Sequence, residues 1–419
     1  MLPWPRTIRR GLIRGFNSFP LEVLFKLIRI ALGGDADLSV PEGVDWPALV
    51  ALATEQGVAA LAHDGLQKCY EADPRLSLPL DRELKAVKYD WFGATLNVEV
   101  ECDKQWKAVS ALGELFSAAG LRTLVLKGFA LGECYPVPQH RYSCDFDCFL
   151  LGDGPATDRS AFEQGNRAME AAGVKVDLSF YKHSSAKFKD VKVENHLFLV
   201  GWRGSARWKR FELELERMLE APGALRPLEG SSLLVGPPLF NALFLTRHAQ
   251  VHFLIEDGIS LRHVCDWAMF LKRYRQEFDW EEFMSICSHY GLSRFVESMT
   301  RLAEYVCGVP ASAESAQRGG AAEPCRLTPA DRRMLDDILT IGERSGSAEP
   351  SRLTPADRRM LDDILTIGER SGSAGGRLGI ALRILRSGWK FRLFSDETRL
   401  GCLLRYVWGY FFVKDLKLS

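Results

Sequence analysis

The stretch "RYSCDFDCFLLGD", residues 141–153, sets two carboxylates, Asp145 and Asp147, one residue apart at the mouth of an apolar run. In an extended strand residues i and i+2 point to the same side, so both acids aim at one point while Phe146 is buried behind them. Two parallel carboxylates repel one another unless a cation lies between them. Hard oxygen ligands in this arrangement suit Mg²⁺ or Mn²⁺, with a substrate triphosphate completing the shell. The plain alternative is the solvated end of an ordinary strand carrying two acids.

The neighbouring sequence bears on that choice. "RTLVLKG" (122–128) reads as a short β-rich run ended by glycine, with a helical segment after it. Glycine after a strand lets backbone N–H groups approach a phosphate, and Lys127 can pair with one. Downstream, "RSAFEQGNRAMEAAG" (159–173) is helical, and "VKVDLSFY" (174–181) and "DVKVENHLFLVGW" (190–202) alternate like two strands near enough to pair. The second offers Glu194 on a strand able to lie beside the acid-bearing one. A third carboxylate there completes a site for in-line attack on phosphorus. Lys182, Lys187, Lys189 and Lys192 surround that element and suit a triphosphate.

Outside this core the periodicity is helical. "LEVLFKLIRIAL", "DWPALVALATEQGVAALAHDGLQKCY" and "CDKQWKAVSALGELFSAAG" carry apolar residues at three- and four-residue spacing, with Asp45 and Asp103 where N-caps or first-turn acids belong. Helices return from Leu239 in "LFNALFLTRHAQVHFLI", "SLRHVCDWAMFLKRYR", "DWEEFMSICSHYG" and "LSRFVESMTRLAEYVCG". Residues 323–348 recur at 349–374 with one change, Cys325 against Ser351. Each copy spells one helix; in the first, Thr328 is the N-cap, Pro329 the first position, and Gly342 the stop. Two near-identical copies indicate a duplicated helix rather than a solenoid, which needs about three repeats.

The expected fold is therefore α+β, a mixed-sheet core flanked by N-terminal and C-terminal helical regions. The expected units are 1–119 helical, 120–230 the α/β core and 231–310 helical, then 311–375 a linker with the tandem helix, and 376–419 basic, aromatic C-terminal helices.

The 419 residues carry 54 Lys plus Arg against 54 Asp plus Glu, so the overall balance predicts no polyanionic partner. Bases still cluster: six against one acid in 1–31, eight against two in 181–210, and nine against three in 377–419. Ten cysteines without a CxxC pair signal neither zinc nor a disulfide scaffold and fit a reducing cytoplasm. The basic, apolar start lacks a clean apolar core with a small-residue cleavage site, and reads as a packed or surface helix. No run reaches the eighteen or so apolar residues of a membrane span, so no stable membrane insertion is expected. The stretch from Trp389 to Phe412 interleaves arginines with eight aromatics and reads as an amphipathic terminal helix burying its rings.

The motif "LVLKG…LGECYP…HRYSCDFDCFL" resembles the uncharacterised nucleotidyltransferase family of the polymerase-β superfamily. Lys127 and Gly128 fall on its LKG, Tyr135 on its tyrosine, Arg141 on the arginine four before the first acid, and Asp145 and Asp147 on its acid pair. Glu194 and His196 fall on its E-x-H. The resemblance spans roughly residues 24–310, although Asn195 replaces a usual apolar residue and Lys-Gly replaces the superfamily's Gly-Ser. It implies transfer of a nucleoside monophosphate from an NTP to an acceptor hydroxyl, the acceptor being a protein, an RNA or a small molecule. Asp145, Asp147 and Glu194 would be metal ligands and catalytic. Lys127, Gly128 and Arg141 would bind the nucleotide, with Arg141 orienting the acids or touching the triphosphate.

Other readings compete. A DxD glycosyltransferase using a nucleotide sugar would place an α/β unit before the motif. A non-catalytic binding module on the same fold should have lost carboxylates. A metal phosphohydrolase on His248, His252, His263 and Asp266 is set against core histidines with an Arg262–Asp266 ion pair. His183 reads as a surface residue, and Cys144 and Cys148 as packing.

Overall fold

A computed structural model describes residues 19–33, 43–72, 82–155, 159–201, 205–256, 258–309, 326–340, 384, 387–398 and 401–403. Four helices open it: α1 (Phe19–Ala31), α2 (Trp46–Glu55), α3 (Ala59–Ala72) and α4 (Arg82–Ala118). Asp45 caps α2 as expected, accepting from the Ala48 N–H at 3.0 Å. Asp103 does not start a helix. It lies inside α4, which runs unbroken for 37 residues, and accepts instead from Gln139 at 3.0 Å.

The core follows as β1 (Arg122–Val125), a four-residue helix α5 (Phe129–Gly132), β2 (Phe146–Leu151), α6 (Ser160–Ala171), β3 (Val176–Asp177), β4 (His183–Phe188) and β5 (Val191–His196). After α7 (Ala206–Glu220), two short strands, β6 (Arg226–Pro227) and β7 (Leu234–Val235), return to the sheet. Its seven strands run in the order β3-β4-β5-β2-β1-β7-β6. β2 is antiparallel to β1 and parallel to β5.

Alternation sorts β2 into two faces. Phe146, Cys148 and Leu150 join Val125, Val191 and Val193 in a cluster closed by Val109, Leu112 and Phe116 of α4 and Met169 of α6. Phe149 and Leu151, with Leu124 and Leu126, face the helical core. Gly165 lets α6 sit against the first face, since a Cβ there would lie 2.0 Å from Leu150 Cδ1. Cys148 packs as expected; Cys144 is exposed.

One pairing differs from expectation. β5 turns back at Lys189 and Asp190, both with positive φ (45° and 67°), and pairs along its length with β4, "HSSAKF". The run "VKVDLSFY" contributes only β3. β4 is concealed by its polar inward residue: Ser184 is buried and donates to Asn166 at 2.7 Å.

The helical half comprises α8 (Pro238–Leu254), α9 (Leu261–Tyr274), α10 (Trp280–Tyr290) and α11 (Ser293–Cys307), followed by α12 (Pro329–Leu339) and α13 (Gly388–Phe394). The first duplicated copy forms α12 with the expected Thr328 cap and buries Met334, Leu335 and Ile338. Its Asp331 carboxylate is held by Arg301 and Ser298 of α11. Gly342 and the second copy lie outside the described residues. Of the C-terminal aromatic stretch, Phe391 and Phe394 are buried in the helical core. Among the described residues no helix is long and apolar enough to cross a membrane.

Candidate active site

Asp145 immediately precedes β2 and Asp147 is its second residue, and both carboxylates reach Lys127, although Asp145 stands outside the close group of Asp147, Glu194 and His196. The Lys127 ammonium is 3.2 Å from Asp145 Oδ1 and 2.9 Å from Asp147 Oδ2. Lys127 gets there because β1 ends at Val125, one ladder bond (Leu126 N–H to Asp147 O, 3.1 Å) extends it, and Gly128 then turns the chain at φ 67°.

The parallel pairing sets Asp147 beside Glu194 and Phe149 beside His196. Directly paired residues share a face, so Glu194 and His196 stand on the Asp147 side. His196 Nε2 is 3.0 Å from Asp147 Oδ1, and its Nδ1 is 3.2 Å from the Phe198 carbonyl. One ligand atom each from Asp147, Glu194 and His196 lie within 4.8 Å of one another. Glu194 is held on either side by Lys192 and by His183, whose Nε2 is 3.2 Å away.

Burial would raise the Asp147 carboxyl, but the Lys127 charge and the His196 bond outweigh it and hold it well below the carboxylate range. Burial equally opposes the Lys127 charge, and the Asp147 and Asp145 carboxylates raise that group above an ordinary lysine. His183 is pushed down to about 3 by burial, His196 and Lys182. His183 Nδ1 meanwhile lies 3.3 Å from the Ser184 carbonyl.

Arg141 sits elsewhere than the acid pair. Its Nε and Nη2 bond Asp266 of α9 at 2.9 and 2.8 Å, and the Tyr135 hydroxyl donates to the same carboxylate at 2.8 Å. It therefore does not orient Asp145 or Asp147. Its Nη1 instead points towards Gly128, 4.0 Å from where a Cβ would stand. A cavity of about 50 Å³ lies beside this group, lined among others by Lys127, Arg141, His248, Arg262, His263 and Asp266.

Of the helical histidines, His248 and His263 line that space and His252 an adjoining one, and among the described residues they join no group of three metal-ligating side chains. His252 pairs with Glu256 at 2.9 Å, and His263 Nδ1 accepts from the Ser260 N–H at 3.0 Å. Burial, with the neighbouring His252, holds His248 well below its usual range; burial and Arg262 do the same to His263. The expected Arg262–Asp266 pair is present at 3.8 Å but is subordinate to Arg141. Of the lysines expected here, Lys192 meets Glu194, Lys187 pairs with Asp190 on the surface, Lys189 is exposed, and Lys182 faces His248, His252 and Glu256. His183 was hidden because β4 was; the positive-φ hairpin at Lys189–Asp190 has no glycine to announce it.

The donor set suits a divalent cation. Two carboxylates and an imidazole nitrogen share one face, and the buried Asp147 Oδ2 is met by the Lys127 ammonium at 2.9 Å. A family model described as an uncharacterised nucleotidyltransferase matches residues 42–308, and the chain belongs to that family. No curated protein and no solved structure matches it. The family points to nucleotidyl transfer in general.

Proposed function

We propose that this member of the uncharacterised nucleotidyltransferase family transfers a nucleoside monophosphate from an NTP to an acceptor hydroxyl. The observation that carries this is the register pairing Asp147 with Glu194 on parallel strands, with Asp145 immediately before the first of them and sharing Lys127 with Asp147. Asp145, Asp147 and Glu194 would hold Mg²⁺ or Mn²⁺, with His196 within reach as a nitrogen donor. When bound, the cation neutralises triphosphate oxygens and draws charge from the α-phosphorus.

The chain's own groups do the rest. Lys127 and the Gly128 turn present a cation and open backbone to phosphate, and Arg141 Nη1 faces the same turn from its Asp266 anchor. Glu194, steadied by His183 and Lys192, receives the proton of the acceptor hydroxyl. The acceptor oxygen bonds to the α-phosphorus as the bond to the pyrophosphate bridging oxygen breaks, and pyrophosphate leaves with that electron pair.

The test is incubation with each labelled NTP, Mg²⁺ or Mn²⁺, and separate protein, RNA and small-molecule acceptor pools. Wild type is expected to transfer label and the Asp145→Asn/Asp147→Asn variant to lose it by at least about a hundredfold, the scale on which metal-borne electrostatic stabilisation acts. Binding and transfer that ignore both acids would overturn the reading.

A further inference from the structure

We infer that the Lys127 ammonium is the resident counter-ion of the acid pair, and that a divalent cation enters only as that ammonium leaves, so that metal and nucleotide triphosphate load together. This rests on the metal-site reading above.

Two carboxylates turned toward one point repel unless a positive charge lies there. Here Lys127 supplies it, within 3.2 Å of both. A cation bound by Asp145 and Asp147 would occupy the same ground, and like charges at contact distance exclude one another. The lysine stem can withdraw, being four flexible carbons long, and Lys127 already lines the adjoining cavity.

That cavity does not welcome a bare ammonium. Arg141 and Arg262 line it beside Lys127, so an ammonium drawn into it meets two further cations. Its one carboxylate, Asp266, is saturated by Arg141 and Tyr135. Withdrawal therefore leaves three cationic groups around a small space with no free anion, which disfavours loading by metal alone. A nucleoside triphosphate removes the difficulty, since its phosphate oxygens give the displaced ammonium and the guanidinium groups a partner. Coupling of this kind is reciprocal: whatever nucleotide adds to metal affinity, metal adds to nucleotide affinity.

The experiment measures Mn²⁺ binding by the electron paramagnetic resonance signal of the free ion, first without nucleotide, then with ATP. The proteins are wild type, Lys127→Met, Asp147→Asn and the Lys127→Met/Asp147→Asn double variant. Wild type is expected to bind Mn²⁺ weakly alone and more tightly with ATP. Lys127→Met is expected to bind Mn²⁺ alone at least tenfold more tightly than wild type, with little further gain from ATP. Lys127→Gln, also neutral, gives the same readout if the methionine variant does not fold. A neutral variant that binds no tighter than wild type, while Asp147→Asn abolishes binding, overturns the counter-ion inference and leaves the metal site standing. Binding unaffected by Asp147→Asn in either background instead overturns the metal-site reading itself.

Discussion

Asp266 joins the helical half to the segment between the Lys-Gly turn and the acid-bearing strand, and its removal gives the sharpest test of the packing. Arg141, Tyr135 and Asp266 are each 5–6% exposed, with three contacts of 2.8–2.9 Å between them. Two unit charges about 4 Å apart at an effective dielectric constant near 20 attract by roughly 4 kcal/mol. Removing one partner of a buried pair costs about 3–5 kcal/mol, because the survivor is left charged and unpaired. Arg262, 3.8 Å from Asp266, does not relieve this, being a second cation. Asp266→Leu should therefore lower unfolding free energy by about 3–5 kcal/mol in urea denaturation followed by circular dichroism. Arg141→Met should cost less, because Arg262 and the Tyr135 hydroxyl still meet the Asp266 carboxylate, and the double variant should cost less than the sum of the two, since Arg141 and Asp266 then leave together. An Asp266→Leu loss below about 1 kcal/mol, or strict additivity, would refute the argument that the pair is buried and mutually dependent.

Three further outcomes follow from particular contacts. Burial pushes Glu216 up to about 7 against the pull of Arg159, so its folded value exceeds its unfolded one. Its stabilising contribution is thus complete below the unfolded value and is lost as pH rises through about 7; Glu216→Gln should flatten the fall in melting temperature between pH 5 and 8, and an unchanged slope would contradict this. Gly65 of α3 crosses α1 so closely that a Cβ would lie 2.0 Å from the Leu27 carbonyl oxygen. Gly65→Ala should cost about 3 kcal/mol or more by overpacking, read as a lower denaturation midpoint, and a neutral result would contradict the crossing. Gly128 adopts φ 67° and ψ −111°, so Gly128→Ala should cost about 1–3 kcal/mol in backbone strain and weaken nucleotide binding; calorimetry and equilibrium dialysis with ATP check both.

Local rules were enough for part of the architecture. Period two placed Asp145 and Asp147 on one side, and the β5 alternation placed Glu194 where parallel pairing sets it beside Asp147. Long apolar runs gave α8 and amphipathic ones α9 to α11, and Thr328 followed by Pro329 gave the start of α12. The failures share a cause, namely polar residues whose partners are distant in sequence. Asp103 resembles a cap but lies within α4, where its partner Gln139 comes from another segment. Ser184 makes β4 look like a loop until Asn166, 18 residues earlier, is seen to bond it. Arg141 reads as a companion of acids four residues on, whereas its partner Asp266 is 125 residues away. No spacing rule could supply that pairing, and it decides what Arg141 can touch.

The central claim is that Asp145, Asp147 and Glu194 serve transfer at the α-phosphorus. Parallel reactions with α-labelled and γ-labelled ATP, Mg²⁺ and the acceptor pools address it most directly. Label retained on acceptor from the α-position alone, with pyrophosphate released, and lost in Asp147→Asn and Glu194→Gln, is the predicted result. Label retained from the γ-position, or α-label transfer that survives both substitutions, would contradict the account.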